Sequence, residues 1–408
     1  MSNDPRMKLR TVEDFKAFKG KRVFLRADFN VPVSRAKVSP DEDWRIRKVV
    51  PTIERLAAAG ARVVLASHLG RPEGKKAAAL KLDPIAKRLT QLLGRIVEKL
   101  PDCVGPETEK AVAAMKDGQV VLLENLRFKK GEEENDPEFS EALSRLGDAY
   151  IDEAFGTCHR AAASIVGITR HLPSYAGPLL VSEVAALTKA LESPERPYLV
   201  VMGGAKVSSK IGVISQMLSV ADRVLLGGAL VAPFYKAMSH CIGQTPCSDE
   251  DLAAAAEIMR HPYFKKLILP HDVVIGDPKR PKDWAKVVDL QEEPFDLCIE
   301  NEAILDIGPK TIAAYAAYVR SAKMIVWNGP LGWFEEPKFS HGTLALGRLI
   351  AARSKGKTYG IVGGGETAIA LAKTGLMECV DHVSTGGGAM LEFLEGKALP
   401  GLQPLRIA

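Results

Sequence analysis

Tyr198–Leu218 reads YLVVMGGAKVSSKIGVISQML, and its pattern decides the fold. Tyr198–Met202 is an apolar run of strand length, too short for a helix of its own. Gly203-Gly204 interrupts it. Val207, Ile211, Ile214 and Leu218 then recur at helical spacing on a single stripe. Strand, glycine turn and amphipathic helix form the repeating unit of a parallel sheet covered by helices.

The same alternation extends outward in both directions. The N-terminal half offers Arg22–Arg26 (RVFLR), Arg62–Ser67 (RVVLAS), Val120–Glu124 (VVLLE) and Ala149–Asp152 (AYID). The C-terminal half adds Arg223–Leu226 (RVLL), Met324–Trp327 (MIVW), Tyr359–Val362 (YGIV) and His382–Ser384 (HVS), with a second helical stripe at Ile312, Tyr315, Ala316 and Val319. The fold class is therefore α/β, with two doubly wound parallel-sheet (Rossmann-like) domains. A chain of 408 residues supports this division, because single cores stop growing at about 250–300 residues. Val181–Leu191, between Gly177-Pro178 and Ser193-Pro194, reads as the helical connector. The expected boundaries are an N-terminal domain over 1–177, a hinge helix over 178–194, a C-terminal domain over 195–388, and a segment over 389–408 returning toward the N-terminal domain.

Composition narrows the function classes. Apolar residues make up 46% and charged residues 26%, and the net charge is +5. That profile excludes wholesale disorder, and its basic excess is too slight and too dispersed for a nucleic-acid binder. No apolar run reaches the roughly 18 residues of a membrane span. The start, MSNDPRMKLR, lacks the apolar core of a signal peptide. The six cysteines are far apart with no C-x-x-C pair, so buried free thiols in a reducing cytoplasm are expected.

In open α/β sheets, ligands bind beyond the carboxyl ends of the strands. In the first half the runs end on Asp28, Phe29 and Asn30; on His68, Leu69, Gly70 and Arg71; on Asn125, Leu126 and Arg127; and, past Asp152 and Glu153, on His159 and Arg160. Three guanidinium groups and two imidazoles at neighbouring strand ends would repel one another without an anion between them, and Arg suits the oxygens of carboxylates and phosphates. Arg45 can add a fourth guanidinium. Taken singly, each of these arginines reads as a surface salt bridge; as a set they point to an anion pocket.

The second half ends its runs on glycine: Gly203-Gly204, Gly227-Gly228, Asn328-Gly329, Gly363-Gly364-Gly365 and Gly386-Gly387-Gly388. Glycine admits a ligand to the backbone and frees N–H groups at helix starts for phosphate oxygens. Five such turns in one domain imply a nucleotide site. The G-x-x-x-x-G-K-[ST] loop and the G-x-G-x-x-G fingerprint are both missing, which sets aside P-loop enzymes and nicotinamide dehydrogenases. Lys206 and Lys210, four residues apart at an expected helix start, would share one face.

These residues belong to longer motifs: RADFNVP (Arg26–Pro32), SHLGRP (Ser67–Pro72), ENLRF (Glu124–Phe128), DEAFGTCHR (Asp152–Arg160), GGAKVSSK (Gly203–Lys210), DIGPKT (Asp306–Thr311), WNGPLGWFE (Trp327–Glu335), GGGETA (Gly363–Ala368) and HVSTGGGAMLEFLEGKALPG (His382–Gly401). Through them the chain resembles the phosphoglycerate kinases over essentially its whole length. The resemblance implies reversible phosphoryl transfer between 1,3-bisphosphoglycerate and ADP, giving 3-phosphoglycerate and ATP with Mg2+, in glycolysis, gluconeogenesis or carbon fixation. It implies two domains across a cleft that close about a hinge, and a cytoplasmic monomer with no nucleic-acid or membrane partner. Asp28, Asn30, Arg45, His68, Arg71, Arg127 and Arg160 would hold the phosphoglycerate. Lys206, Lys210, Asn328, Glu335, Gly363, Gly364, Gly365 and Glu366 would serve the nucleotide, with Glu366 at the metal. Arg45, Lys206, Gly364 and Gly387 would act in the transfer itself.

Three positions depart from the family pattern. Glu366 stands where GGGD places aspartate, Ser209 replaces the aspartate of KVSDK, and Ala162 replaces the second histidine of HRAH. In addition, Leu230–Phe234 (LVAPF) adjoins the expected nucleoside pocket. The alternative expectation is a divergent member that is weakly active, takes another small phosphorylated carboxylate, or only binds ligands.

Overall fold

The computed structural model describes residues 8–290 and 296–407; the polar start Met1–Met7, residues 291–295 and Ala408 lie outside them. The chain divides into two compact units, Met1–Ala185 together with Lys397–Ala408, and Ala186–Gly396.

The first unit is built on β1 (Arg22–Arg26), β2 (Arg62–Ala66), β3 (Glu98–Lys99), β4 (Val120–Leu122), β5 (Ala149–Asp152) and β6 (Ser174–Ala176). They form one sheet in the order β3-β4-β2-β1-β5-β6, parallel throughout. From β1 the chain moves outward to β2 and on to the edge strand β3, returns to β4 between them, and then crosses to β5 on the other side of β1, so the direction reverses between β1 and β5. That reversal opens a crevice beyond their carboxyl ends. Successive side chains alternate between faces. Val23 and Leu25 face one apolar layer with Ile46, Val49 and Ile53 of the helix Trp44–Ala58, and Phe24 faces the other with Leu143 of the helix Pro137–Ser144. Burial on both sides explains why these strands read as continuous apolar runs. β3 and β6 are short edge strands without such runs, and the sequence does not announce them.

The second unit contains β7 (Tyr198–Met202), β8 (Arg223–Leu226), β9 (Cys241–Ile242), β10 (Leu267–Ile268), β11 (Asp272–Gly276), β12 (Lys286–Asp289), β13 (Asp296–Cys298), β14 (Ala303–Ile307), β15 (Met324–Asn328), β16 (Tyr359–Gly363) and β17 (His382–Val383). The main sheet, β10-β8-β7-β15-β16-β17, is parallel, and its winding reverses between β7 and β15. Between β8 and β15 the chain inserts an antiparallel trio, β12-β11-β14, and the pair β13-β9. The sequence reading did not anticipate this insertion.

One expected helix starts later than its stripe suggests. It spans Ile211–Val220 with Lys210 as its N-terminal cap residue, and Val207 precedes it. Lys206 and Lys210 therefore do not share a helix face, which corrects the spacing argument. Two hydrogen bonds, one to a distant residue and one local, compete with the helix here. Ser208 N–H donates to the Asp251 carboxylate at 2.9 Å, and Ser209 Oγ donates to the Lys206 carbonyl at 3.0 Å.

The helix Pro178–Glu192 runs across the division between the units after Ala185. The final segment folds into the first unit: Arg10 N–H donates to Leu405 O at 2.7 Å, Ile407 N–H to Lys8 O at 2.8 Å, and Gly401 N–H to Cys158 O at 2.9 Å. All six cysteines are free. Cys103, Cys158 and Cys298 are buried as expected, but Cys241 and Cys379 are exposed and Cys247 is half-buried, because they lie in a short ribbon, a single 3-10 turn and a loop instead of the core strands. No helix among the described residues is long and apolar enough to cross a membrane.

Candidate functional site

At the carboxyl edge of the first sheet, two asparagines tie the strand-end loops together. Asn125 accepts from Leu69 N–H at 3.2 Å and donates to the carbonyls of Leu69 and Leu80 at 2.8 and 2.9 Å. Asn30 Oδ1 accepts from Gly70 N–H at 3.0 Å. On this frame sit the cations. Arg45, in the first turn of Trp44–Ala58, donates to Asn30 O at 2.8 Å and lies 3.8 Å from the Asp28 carboxylate. Its guanidinium lies 5.3 Å from the Trp44 ring centroid, and its Nε is buried without a partner. Arg127 Nη1 donates to Gly70 O at 2.8 Å.

His68 is buried, with Nδ1 3.2 Å from Arg26 Nη2. A guanidinium only donates, so Nδ1 accepts and the ring proton sits on Nε2. Burial, reinforced by the charges of Arg26, Arg127, Arg45 and Arg160, holds the imidazole well below its usual range. His68 is therefore a neutral N–H donor within a field of four guanidinium groups. An orphaned Arg45 N–H beside it leaves the cluster short of an acceptor.

The structure brings Asp28, Asn30, Arg45, His68 and Arg127 together through these contacts. Arg160 joins through Glu133, whose Oε1 lies 3.5 Å from both Arg127 Nε and Arg160 Nη1. Arg71 is exposed, with no hydrogen bond or ion pair among the described residues. Sequence reasoning missed Arg26, Glu132 and Glu133. Arg26 closes strand β1 and is 1% exposed; it donates to Ser164 Oγ at 2.9 Å and lies 4.0 Å from Glu132. A charged residue ending an apolar strand was the available signal.

In the second unit the glycine turns have local explanations. Gly204 adopts φ +115°, and a Cβ on Gly203 would stand 1.9 Å from Pro330 O, because the loops after β7 and β15 touch there. Turn geometry and close backbone approach thus account for glycine at this point, and the ligand argument passes to the space these turns enclose. A cavity of about 430 Å³ is lined by Gly204, Ala205, Gly228, Ala229, Leu305, Pro330, Trp333, Glu335, Glu366 and residues of the inserted segment, among them Gln244 and Pro278. Its size suits a small-molecule ligand. Of the expected nucleotide residues, Glu335 and Glu366 line it; Lys206, Lys210, Asn328, Gly363, Gly364 and Gly365 do not, nor does Gly387, expected in the transfer step.

Those residues lie around the cavity's neighbours. Lys210 Nζ donates to Gly203 O. Burial pushes its ammonium down to about 8, with Glu366 opposing. Asn328, the last residue of β15, has its Nδ2 buried without a partner. Gly364 caps the helix Gly365–Lys373, and Gly387 the helix Gly388–Leu394. Lys206 is exposed directly after Ala205. Leu230, Val231 and Phe234 of LVAPF are core residues, and the cavity wall is made by Gly228 and Ala229 just before them.

The wall is braced from beneath. The buried Asp306 carboxylate accepts from Gly342 N–H at 2.9 Å, and burial raises it to about 8. Thr343 Oγ1 accepts from Leu331 and Gly332 N–H at 2.9 and 3.1 Å. The loop carrying Pro330, Trp333 and Glu335 is thereby held. Gln244 and Pro278 went unassigned in the sequence because the insertion that completes the cavity has no periodic signature, and Trp333, in the loop after β15, went unassigned inside the motif Trp327–Glu335.

Fold and sites together define a class: a doubly wound α/β protein of two units, with polar groups gathered at the carboxyl edge of each main sheet. Comparison with known proteins places it within that class. The family model for phosphoglycerate kinase matches residues 12–397. The chain is 46% identical over 397 residues to the phosphoglycerate kinase of Moorella thermoacetica, covering 97% of this chain and 98% of that one. It is 45% identical over 390 residues to that of Dictyoglomus turgidum, covering 95% and 96%. Among solved structures, phosphoglycerate kinase from Pyrococcus horikoshii OT3 matches with a TM-score of 0.86 at 33% identity, covering 97% and 98% of the two chains. That from Coxiella burnetii matches with a TM-score of 0.80 at 39% identity, covering 98% and 99%. The chain belongs to the phosphoglycerate kinase family.

Proposed function

We propose that this chain catalyses reversible phosphoryl transfer from the acyl phosphate of 1,3-bisphosphoglycerate to ADP. A terminal oxygen of ADP attacks the acyl phosphorus, the bond from phosphorus to the carboxyl oxygen breaks, and 3-phosphoglycerate leaves as its carboxylate. The observation that carries this reading is the first-unit cluster: a neutral His68 N–H donor among guanidinium groups, with the Arg45 Nε–H buried and unpaired. Such a set is short of a multiply charged oxyanion.

Asp28, Asn30, Arg45, His68, Arg71, Arg127 and Arg160 hold the phosphoglycerate in this reading. The second-unit cavity takes the nucleoside, with apolar Leu305, Pro330 and Trp333 suited to a flat base. Lys206, Lys210, Asn328 and the turn at Gly363–Gly365 serve its phosphates. Phosphoryl transfer asks the protein for positioning and charge stabilisation more than covalent help. Arg45 and Lys206 meet the charge of the moving group, assisted by amides near Gly364 and Gly387.

Magnesium fits the second unit. Among the described residues no group of three His, Cys, Asp or Glu side chains is set to hold a metal. A magnesium ion characteristically takes one or two carboxylates and completes its shell with substrate phosphates and water. Glu366, exposed on the cavity lining in the first turn of Gly365–Lys373, is the carboxylate that would hold it. When bound with the nucleotide, the ion supplies charge neutralisation at the phosphates. The enzyme is further read as a cytoplasmic monomer, its free thiols suiting a reducing compartment.

The test is a coupled assay of ATP consumption with 3-phosphoglycerate. Turnover is expected, and Lys206→Ala and Arg45→Ala should each lose on the order of 10²–10³ in kcat, the scale of one stabilising cation at a developing charge. Absence of turnover overturns the activity; wild-type turnover in Lys206→Ala removes that residue from the transfer step.

A further inference from the structure

Arg127 and Arg160 converge on one carboxylate oxygen, Glu133 Oε1, at 3.5 Å each. A close charge-assisted hydrogen bond would bring these atoms to about 2.7–2.9 Å, so both pairs are loose. Glu133 is held back by its own element. It lies in the five-residue helix Lys130–Glu134. The preceding Glu132 is buried and anchored to Ser164, accepting from its N–H at 3.1 Å and its hydroxyl at 2.6 Å. Arg127 is fixed independently of Glu133 by its bond to Gly70 O and by burial. Glu133, by contrast, keeps 37% of its side chain exposed.

We propose that Glu133 is a displaceable internal counter-ion of the acid site, a residue that sets affinity and selectivity there. It neutralises Arg127 and Arg160 while the site is free, and yields its place to an anionic group of the ligand. This rests on the reading that the phosphoglycerate lies on those two arginines. The exchange favours a dianionic phosphate, which brings more charge and more acceptor oxygens than the one carboxylate it displaces. A monoanion gains little from the same exchange. The carboxylate therefore keeps weakly charged metabolites off the arginines, and lowers affinity for the true ligand in return.

The test compares wild type with Glu133→Gln and Glu133→Asp. In Glu133→Gln the KM for 3-phosphoglycerate should fall about three- to tenfold at low salt, the scale of one partly exposed charge interaction. The gap should shrink as KCl is raised. The KM for ATP serves as an internal control and should not follow. Glu133→Asp keeps the charge and should behave like wild type. Inorganic sulfate provides an arm independent of turnover: it should raise the melting temperature of Glu133→Gln more than that of wild type. A KM for 3-phosphoglycerate in Glu133→Gln that is unchanged or raised, with no gain in the sulfate shift, overturns the proposal. If wild type shows no turnover with 3-phosphoglycerate, the activity reading fails while the sulfate arm still decides the role of Glu133.

Discussion

Lys210 carries its charge against opposition. Burial lowers its ammonium to about 8 in the folded chain, and only Glu366 pulls the other way. An ordinary lysine would stay charged until about pH 10. As pH rises through 8, Lys210 therefore loses its proton well before an ordinary lysine does, while nucleotide phosphates keep their charge. If it serves those phosphates, the KM for ATP should rise between pH 7.5 and 9.5 by about three- to tenfold. Lys210→Arg should flatten that rise, because a guanidinium stays charged throughout. A wild-type KM for ATP constant over this range would remove Lys210 from the phosphate contacts. The residue scale was partly legible in sequence. Lys210, Arg45 and His68 were singled out by their place after apolar runs. The neutrality of His68 was not, since it depends on burial and on Arg26 reaching Nδ1 from a neighbouring strand.

At the scale of elements, the second unit depends on how closely the loops after β7 and β15 approach. A methyl group on Gly203 would stand 1.9 Å from Pro330 O and 2.6 Å from its carbonyl carbon, both backbone atoms with no freedom to swing aside. Gly203→Ala should therefore force these strand ends apart, costing about 1–3 kcal/mol as an overpacked contact does and weakening nucleotide binding at the cavity that Gly204 and Pro330 line. Denaturant unfolding and nucleotide titration read both effects; a variant with unchanged midpoint and affinity would show that the turn can relax. The strand–turn–helix order around Gly203 was readable because it is local. The start of the following helix was not. Ser208 is drawn to Asp251, which lies 43 residues on, and that bond delays the helix past Lys206.

For the whole molecule, the last residues of the chain complete the unit that begins it. Leu402 and Leu405 are fully buried, and the segment is tied to Lys8, Arg10 and Cys158 by backbone bonds. Removing residues 400–408 should cost the first unit roughly 3–6 kcal/mol, the worth of two buried leucines. Calorimetry should show an early transition that sulfate no longer raises, while nucleotide binding by the second unit persists. A single unshifted transition would mean the segment adds no stability. By itself the sequence determined the α/β class, the two main parallel sheets and the family, because periodicity and motif order are properties of the chain read along one dimension. Tertiary structure alone decided what closes the nucleotide cavity, which carboxylate faces Arg127 and Arg160, and which nitrogen of His68 holds the proton. Those outcomes depend on groups far apart in the chain, and only packing sets their distances.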